Sequence, residues 1–496
     1  MLPENPGGHA AYQNFVAENL RKYYPDPNIF PRSTWDIIDR FWHLDLSYTD
    51  DLLRSKYSAF GPKPRTPSCM QRSYLLSIDF KVDSITDWSA QLKINPLYAI
   101  LSGFHFGDTP GIGTFYDFFN RLWDSDEDNL SPHEHPLKKK KLKKPKTKGT
   151  KAESIEKVTV AELLPQLENT AFLLNEQPYA SLFKIYKQEF LDVSVSKNLI
   201  HTNSLAIAGD GTPVVTSHRE RKKRICDCKE KGIPDCDCNR YFSQPDCDIG
   251  WDSSNDRWYH GYDLYMLVDS QSDLPVFPLF SCASKHDSHG FLNAFFRMKS
   301  FLPDYTVSKV LLDSAHDAMP YYQYFKRENI TPFIDLNGKG GRPPVYKNDF
   351  TIDKDGVPIC PSGHRMRRDG IDVTKGRMKF KCPKMNRKNG CLSCTCETPC
   401  SDAKYGRTIH LVLKDNPRLF NNPPRSSKEW KTEYNARTSV ERSNKREKID
   451  FKLESGRHRS TKMWYCRLYH ILMLQHLDAW DLPNESPLRK LIQQTA

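Results

Sequence analysis

At residue 204 the hydrophobic period of the chain changes, and this change limits the fold more than any other feature. Before it, apolar and aromatic residues recur at three-to-four spacing over 15–24, 35–42, 73–78 and 114–123, which predicts helices. Residues 157–200 read as helical too. From 204 the segment SLAIAGDGTPVV reads as a buried strand running into a glycine turn. Residues 262–268 and 275–283 read as two strands joined by a polar turn, and 291–301 as a helix. A short β-branched strand at 307–312, a helix at 319–328 and a strand at 331–336 follow. Strand, hairpin, helix, strand, helix, strand is the pattern of a mixed α/β sheet. Residues 337–422, rich in Gly, Pro, Lys and Cys, interrupt it before helical spacing returns at 432–452 and 461–480.

A chain of 496 residues is expected to hold more than one domain. The expected division is a helical region at 1–125, a lysine-rich linker at 126–152 and a helical connector at 153–203. The α/β core follows as 204–336 and 423–482, split by a basic Cys-rich insertion at 337–422. With 38% hydrophobic residues there is ample material for a core. No run of about 18 apolar residues exists to span a membrane. Residues 1–8 lack the basic and apolar regions of a secretory leader, an expectation against secretion.

The formal net charge of +12 is unevenly spread. Residues 1–137 sum to −6, 152–336 to −7 and 337–470 to +17, while 138–151 holds nine lysines and no acid. Such asymmetry points to a polyanionic partner, most often nucleic acid. The lysine tract reads either as a solvated tether or as a phosphate-binding arm.

Two aspartates stand at chemically useful places. Asp210 lies in Gly209-Asp210-Gly211-Thr212-Pro213, after the apolar run 205–208, and Asp313 directly follows 307–312. Acids at or past strand ends sit at the rim of a sheet, where loops leave room for ligands. Either one alone also suits a turn or a helix cap. In the helical stretch after 432, Tyr434, Arg437, Glu441 and Lys448 fall at offsets 0, 3, 7 and 14. At 3.6 residues per turn they share a stripe roughly 60° wide. That stripe reads either as a solvated face with an ion pair or as the third wall of a metal site.

With these residues the chain resembles bacterial insertion-sequence DDE transposases. Asp210, Asp313 and Glu441 look like their acidic triad. Tyr434-x2-Arg437-x3-Glu441-x6-Lys448 is similar, at every spacing, to their Y-R-E-K signature. Asp313-Ser-Ala-His316-Asp317 resembles their second-acid motif, with His316 where an aromatic is usual and Asp317 as the rival acid. The resemblance spans about 204–480, and 50–125 resembles the helical N-terminal segment of the group. It implies a ribonuclease-H-like mixed sheet with helices on both faces and an N-terminal DNA-binding region. It also implies two Mg²⁺ ions, for which Mn²⁺ substitutes, held by Asp210, Asp313 and Glu441. Carboxylates suit this hard cation, and two such ions serve both nucleophile and leaving group of a phosphodiester. Arg437 and Lys448 would contact phosphates, and Tyr434 would position the DNA end. The implied partners are the terminal inverted repeats, target DNA and a second copy of the chain in the DNA complex, with no membrane. The implied location is the bacterial cytoplasm, at the nucleoid. The competing readings are an idle or domesticated DNA-binding protein and a nuclease without strand transfer.

Fourteen cysteines add a metal question. Without a leader, clustered thiols ligate metal more often than they pair. Cys360, Cys382, Cys394 and Cys400 are the favoured zinc ligands in the insertion; Cys391 is a close rival, and Cys396 and His364 compete. Cys226-x-Cys228-x7-Cys236-x-Cys238 reads equally as a metal-stapled loop and as free thiols. Around the insertion's cysteines, Arg365, Arg367, Arg368, Lys379, Lys381, Lys384, Arg387 and Lys388 suit phosphate contacts, and Arg457, His458 and Arg459 extend that track. Trp430 reads as packed rather than as a base-stacking wedge. His286 and Asp287 read as supporting residues at a strand end. No G-x-S-x-G setting exists for a serine nucleophile, and Gly338-Lys-Gly340-Gly341 lacks the spacing of a nucleotide loop.

Overall fold

In the computed structural model the described residues are 8–58, 60–134, 158–216, 223–224, 226–338, 345–346, 350–353, 355–372, 374–388, 391–456, 458–481, 483 and 486–493. The lysine tract lies outside them.

The expected N-terminal helices are present as Gly8–Tyr23, Arg32–His43, Pro67–Asp79 and Ile112–Leu122, with shorter ones between. Their sequence explains them locally. Trp35, Ile38, Phe41 and Trp42 line the buried face of the second. Ser84 accepts the Asp87 N–H and Asn95 the Leu97 N–H, capping Ile85–Ile94 and Pro96–Ser102. Gly103, at φ +89, ends the latter in the left-handed region.

These helices do not bury a core of their own. Their apolar side chains join one continuous core with the sheet and with the helix Thr461–Ala479. That helix is buried on nearly every side, as a central helix must be. Several of its polar groups are paired internally, whereas the Tyr469 hydroxyl is buried without a partner. His470 meets the Cys466 carbonyl and Gln71, His476 meets Ser194 and Tyr186, and Arg467 donates to the carbonyls of Phe451, Lys452 and Leu453. The insertion holds a second, separate cluster built on Phe350, Ile352, Met378, Phe380, Ile409 and Leu411.

The central sheet contains β1 (Leu205–Val215), β2 (Asp248–Asp252), β3 (Arg257–Asp269), β4 (Pro275–Cys282), β5 (Val307–Leu312) and β6 (Thr331–Ile334). The order is β2-β3-β1-β5-β6, with β4 sharing β3's outer edge with β2. The β3 pairings are antiparallel, whereas β1–β5 and β5–β6 are parallel. Three antiparallel strands continued by two parallel ones make the ribonuclease-H-like mixed sheet. Helix Asp287–Phe301 packs on β1, β3 and β4, and helix Thr438–Lys445 on β1 and β3. The strand β2 had no clear signal in the sequence, because its alternation is short and lies among aspartates and glycine.

One buried acid gives a stability test. Glu189, in the turn Lys187–Leu191, accepts the Thr49 N–H at 2.8 Å and the Thr49 hydroxyl at 2.7 Å. Burial pushes its carboxyl up to about 8 against the lowering effect of Thr49. The folded protein then keeps a proton that the unfolded chain releases near pH 4.5. Stability from this group is full below that pH and is lost as pH rises toward 8. Glu189→Gln copies the neutral acid, so it should raise the melting temperature at pH 8 and not at pH 5. Melting curves at the two pH values check this.

Candidate active site

The parallel register decides where the two aspartates meet. Ala208 pairs with Leu311, and two residues further along each strand stand Asp210 and Asp313. Asp313 follows β5 and caps the turn Ser314–His316 by accepting the Ala315 N–H. Asp210 differs from expectation: it is not past a strand end. β1 continues through it to Val215, paired along its whole length with β3, where Asp210 faces Met266. Only the parallel partner has ended.

The flanking glycines have a packing role rather than a turning one. A Cβ at Gly209 would lie 2.9 Å from the Tyr265 hydroxyl. A Cβ at Gly211 would lie 2.7 Å from Asp287 Oδ1 and 3.0 Å from Asp263 Oδ1. The bare backbone thus lets two more carboxylates close on β1. Asp287 opens the helix Asp287–Phe301, a favourable place for an anion. Asp263 is buried on β3, and its Oδ2 has no hydrogen-bond partner.

Four acids so placed perturb one another. Burial pushes Asp210 up to about 7; Arg437 opposes this, and Asp313 and Asp287 add to it. Burial, with Asp287 and then Asp210 adding, raises Asp263 well above the usual carboxylate range. Asp287 is raised by burial also. Asp313 alone is lowered: burial works against its charge, but His316 outweighs it. His316 is fully buried, with Nδ1 2.6 Å from Asp313 Oδ1 and Nε2 2.9 Å from the Tyr265 hydroxyl. It holds one Asp313 oxygen and leaves the other facing the cluster.

The third wall is not one straight helix. Lys428–Asn435 ends, Ala436 and Arg437 form the joint, and Thr438–Lys445 begins before a wider turn, Arg446–Asp450. The expected stripe is therefore bent, yet it still delivers its members. Arg437 stands between acids, 3.9 Å from Asp210 and 2.5 Å from Glu441. Glu441 is half exposed on the same side. Tyr434 stacks on buried Trp430 with ring centroids 4.6 Å apart, so Trp430 is packed. Lys448 donates to the Pro213 carbonyl at 2.7 Å and pairs with Glu454 at 3.2 Å. It ties the helical segment to the far end of β1.

Asp317 has a different task from Asp313. It is buried and receives Arg418 through two hydrogen bonds of 2.8 and 2.6 Å, with Tyr322 and Asn337 donating as well. It fastens the insertion to the core. Several insertion cations are spent internally: Arg365 pairs with Asp353 and Asp355, and Lys379 and Lys381 with Asp369. Burial raises Cys382 against the lowering effect of the Lys384 backbone, with Cys394, Cys400 and Cys360 adding to it, but no three of these four bring their sulfurs within 4.8 Å of one another. The side chain of Cys391, in the strand Cys391–Cys394, lies outside the described residues.

Hard carboxylate oxygens, one of them buried without a donor, are the chemistry that divalent cations prefer, although no three of these acids bring ligand atoms within 4.8 Å of one another. Acids of this kind on a ribonuclease-H-like sheet define a class of metal-dependent enzymes that act on nucleic acid backbones. The family model described as transposase DDE domain matches residues 206–475. The chain belongs to that family, whose substrate is DNA and whose members use divalent metal ions. No curated protein matches it.

The acid that sequence reading missed is Asp263, whereas Asp287 stands as a supporting residue as expected. The signal for both is Gly211, whose missing side chain makes room for them. Asp287→Asn should weaken divalent-cation binding by about 10–100-fold, the usual effect of removing an outer partner of a metal ligand. A calorimetric Mn²⁺ titration of the two proteins measures it.

Proposed function

We propose that the protein cleaves the ends of an insertion sequence and joins them to target DNA by two-metal-ion chemistry. The observation that carries this reading is the meeting of Asp210 and Asp313 on adjacent strands, with Arg437 linking Asp210 to Glu441. Asp210, Asp313 and Glu441 would hold two Mg²⁺ ions. When bound, such ions supply an activated oxygen nucleophile and a stabilised leaving oxygen. Mn²⁺ would serve in their place.

The residues of the chain do the remaining work. His316 fixes the rotation of Asp313. Arg437, which pairs with Asp210 and Glu441, would contact the phosphate next to the scissile bond. Lys448 holds β1 in register with the helical segment and offers its third N–H to phosphate. Tyr434, supported by Trp430, positions the DNA end. In the insertion, Cys360, Cys382, Cys394 and Cys400 hold a structural zinc, with Cys391 as the alternative ligand. The active unit on paired ends is a homodimer, at the nucleoid.

Asp210→Ala, Asp313→Ala and Glu441→Ala should each abolish Mg²⁺-dependent cleavage of DNA carrying the element's terminal repeats. Each should still bind that DNA in a gel-shift assay. Full activity in all three variants would overturn the assignment. Joined products, rather than nicked DNA alone, separate a transposase from a simple nuclease.

A further inference from the structure

Between β1 and β2 the chain leaves the core and returns through a hairpin. Lys223 pairs with Tyr241 and Arg224 with Arg240, antiparallel. Beyond this short ladder Cys226 and Cys228 lie in a bend and turn, and Cys236 and Cys238 on the returning segment. Between them the chain turns back, with Asp227 O accepting from Glu230 and Lys231 and Cys228 O accepting from Ile233. The turn brings the four thiols together.

All four Sγ atoms lie within 4.8 Å of one another; no other such group of three or more His, Cys, Asp or Glu exists among the described residues. Cys226 and Cys236 are 3.4 Å apart, and Cys228 and Cys238 3.7 Å. A tetrahedral zinc with Zn–S bonds of about 2.3 Å needs S···S edges of about 3.8 Å. These thiols are too far apart for disulfides, whose sulfurs sit about 2.05 Å apart.

Two further observations point to a ligand. The described residues from Cys226 to Asn239 bury no apolar side chain, and Ile233 is exposed. The hairpin tip thus has no hydrophobic core to hold it, a situation that small modules meet with a metal or disulfides. Buried Arg240 donates to the Cys236 carbonyl at 3.2 Å and to Cys236 Sγ at 3.4 Å. A guanidinium aimed at sulfur compensates the −2 charge of zinc bound to four thiolates.

We propose that Cys226, Cys228, Cys236 and Cys238 bind one structural Zn²⁺ that holds this hairpin together. The root of the hairpin is already fixed. Gln244 donates to the His458 carbonyl at 2.7 Å and accepts from Trp464 at 3.0 Å. Its entry is the end of β1, where Lys448 and Glu454 hold Pro213 and Val215. Zinc supplies the missing constraint at the tip, which carries Lys229 and Lys231 among Asp227, Glu230, Asp235 and Asp237. The site is independent of the carboxylate chemistry and of the thiols in the insertion.

The test uses the full-length protein purified from zinc-supplemented cells. Metal analysis by mass spectrometry should show one fewer Zn per chain in Cys228→Ser/Cys238→Ser than in the parent. The variant Cys394→Ser/Cys400→Ser should keep that equivalent. A parent without zinc, or a Cys228→Ser/Cys238→Ser protein with the parent's full zinc content, overturns the proposal. If that variant does not fold, the unmodified protein decides by iodoacetamide labelling and peptide mapping. All four cysteines should resist labelling until a chelator is added and then react together. Labelling without chelator, or protection released only by a reductant, overturns the proposal.

Discussion

Repulsion among carboxylates is the constraint around which the catalytic half is arranged. Asp210, Asp313, Asp287 and Asp263 come from four different elements and meet beside one short stretch of β1. Water screens them poorly, so each raises the cost of charging the next. Within the chain the principal opposing charges are Arg437 and, when protonated, His316. A fold optimised for stability alone would not place four acids there. The arrangement is reasonable for a site whose missing positive charge arrives with its ligand. It also explains why Arg437 reaches two acids at once: one guanidinium occupies the position between Asp210 and Glu441 that a cation would take.

Much of the sheet was legible because its buried strands carry uninterrupted apolar runs. β5 matches its expected bounds, and β3, β4 and β6 match to within a few residues. Asp313 was legible for the same reason, since an acid ends its apolar run. Asp210 was placed on the right strand but in the wrong local structure. Gly209 and Gly211 suggest a turn when read alone, whereas the structure uses both for close approach of Tyr265 and Asp287. The distinction depends on a helix more than seventy residues later, which no local pattern carries. The division into domains was less legible. Helical periodicity identifies the N-terminal helices but not what they pack against. Their partner is Thr461–Ala479, whose buried faces run all round and so show no amphipathic stripe.

The Y-R-E-K spacing was legible as a helical stripe, although the segment is not a continuous helix. Ala436 and Arg437 break it, and the wider turn Arg446–Asp450 changes its phase again. A wider turn adds a residue to the local repeat and rotates the side chains beyond it. The consequence is visible in Lys448, which points back to Pro213 rather than away from the strand. The angular argument behind the spacing therefore holds only in part.

The insertion is joined to the site by more than chain connectivity. Arg418 forks onto Asp317, four residues past Asp313. Arg425 is buried and donates to the Ile334 carbonyl at the end of β6, to the Tyr322 hydroxyl and to the Arg418 carbonyl. The insertion's return to the core thus grips the loop after β5 and the end of β6 together. A buried charged pair of this kind tolerates little displacement, because losing one partner strands the other. The segment that carries Asp313, His316 and Asp317 is thereby held to the insertion. The same connection makes the basic block and the carboxylate cluster one mechanical unit, although they lie in oppositely charged parts of the sequence.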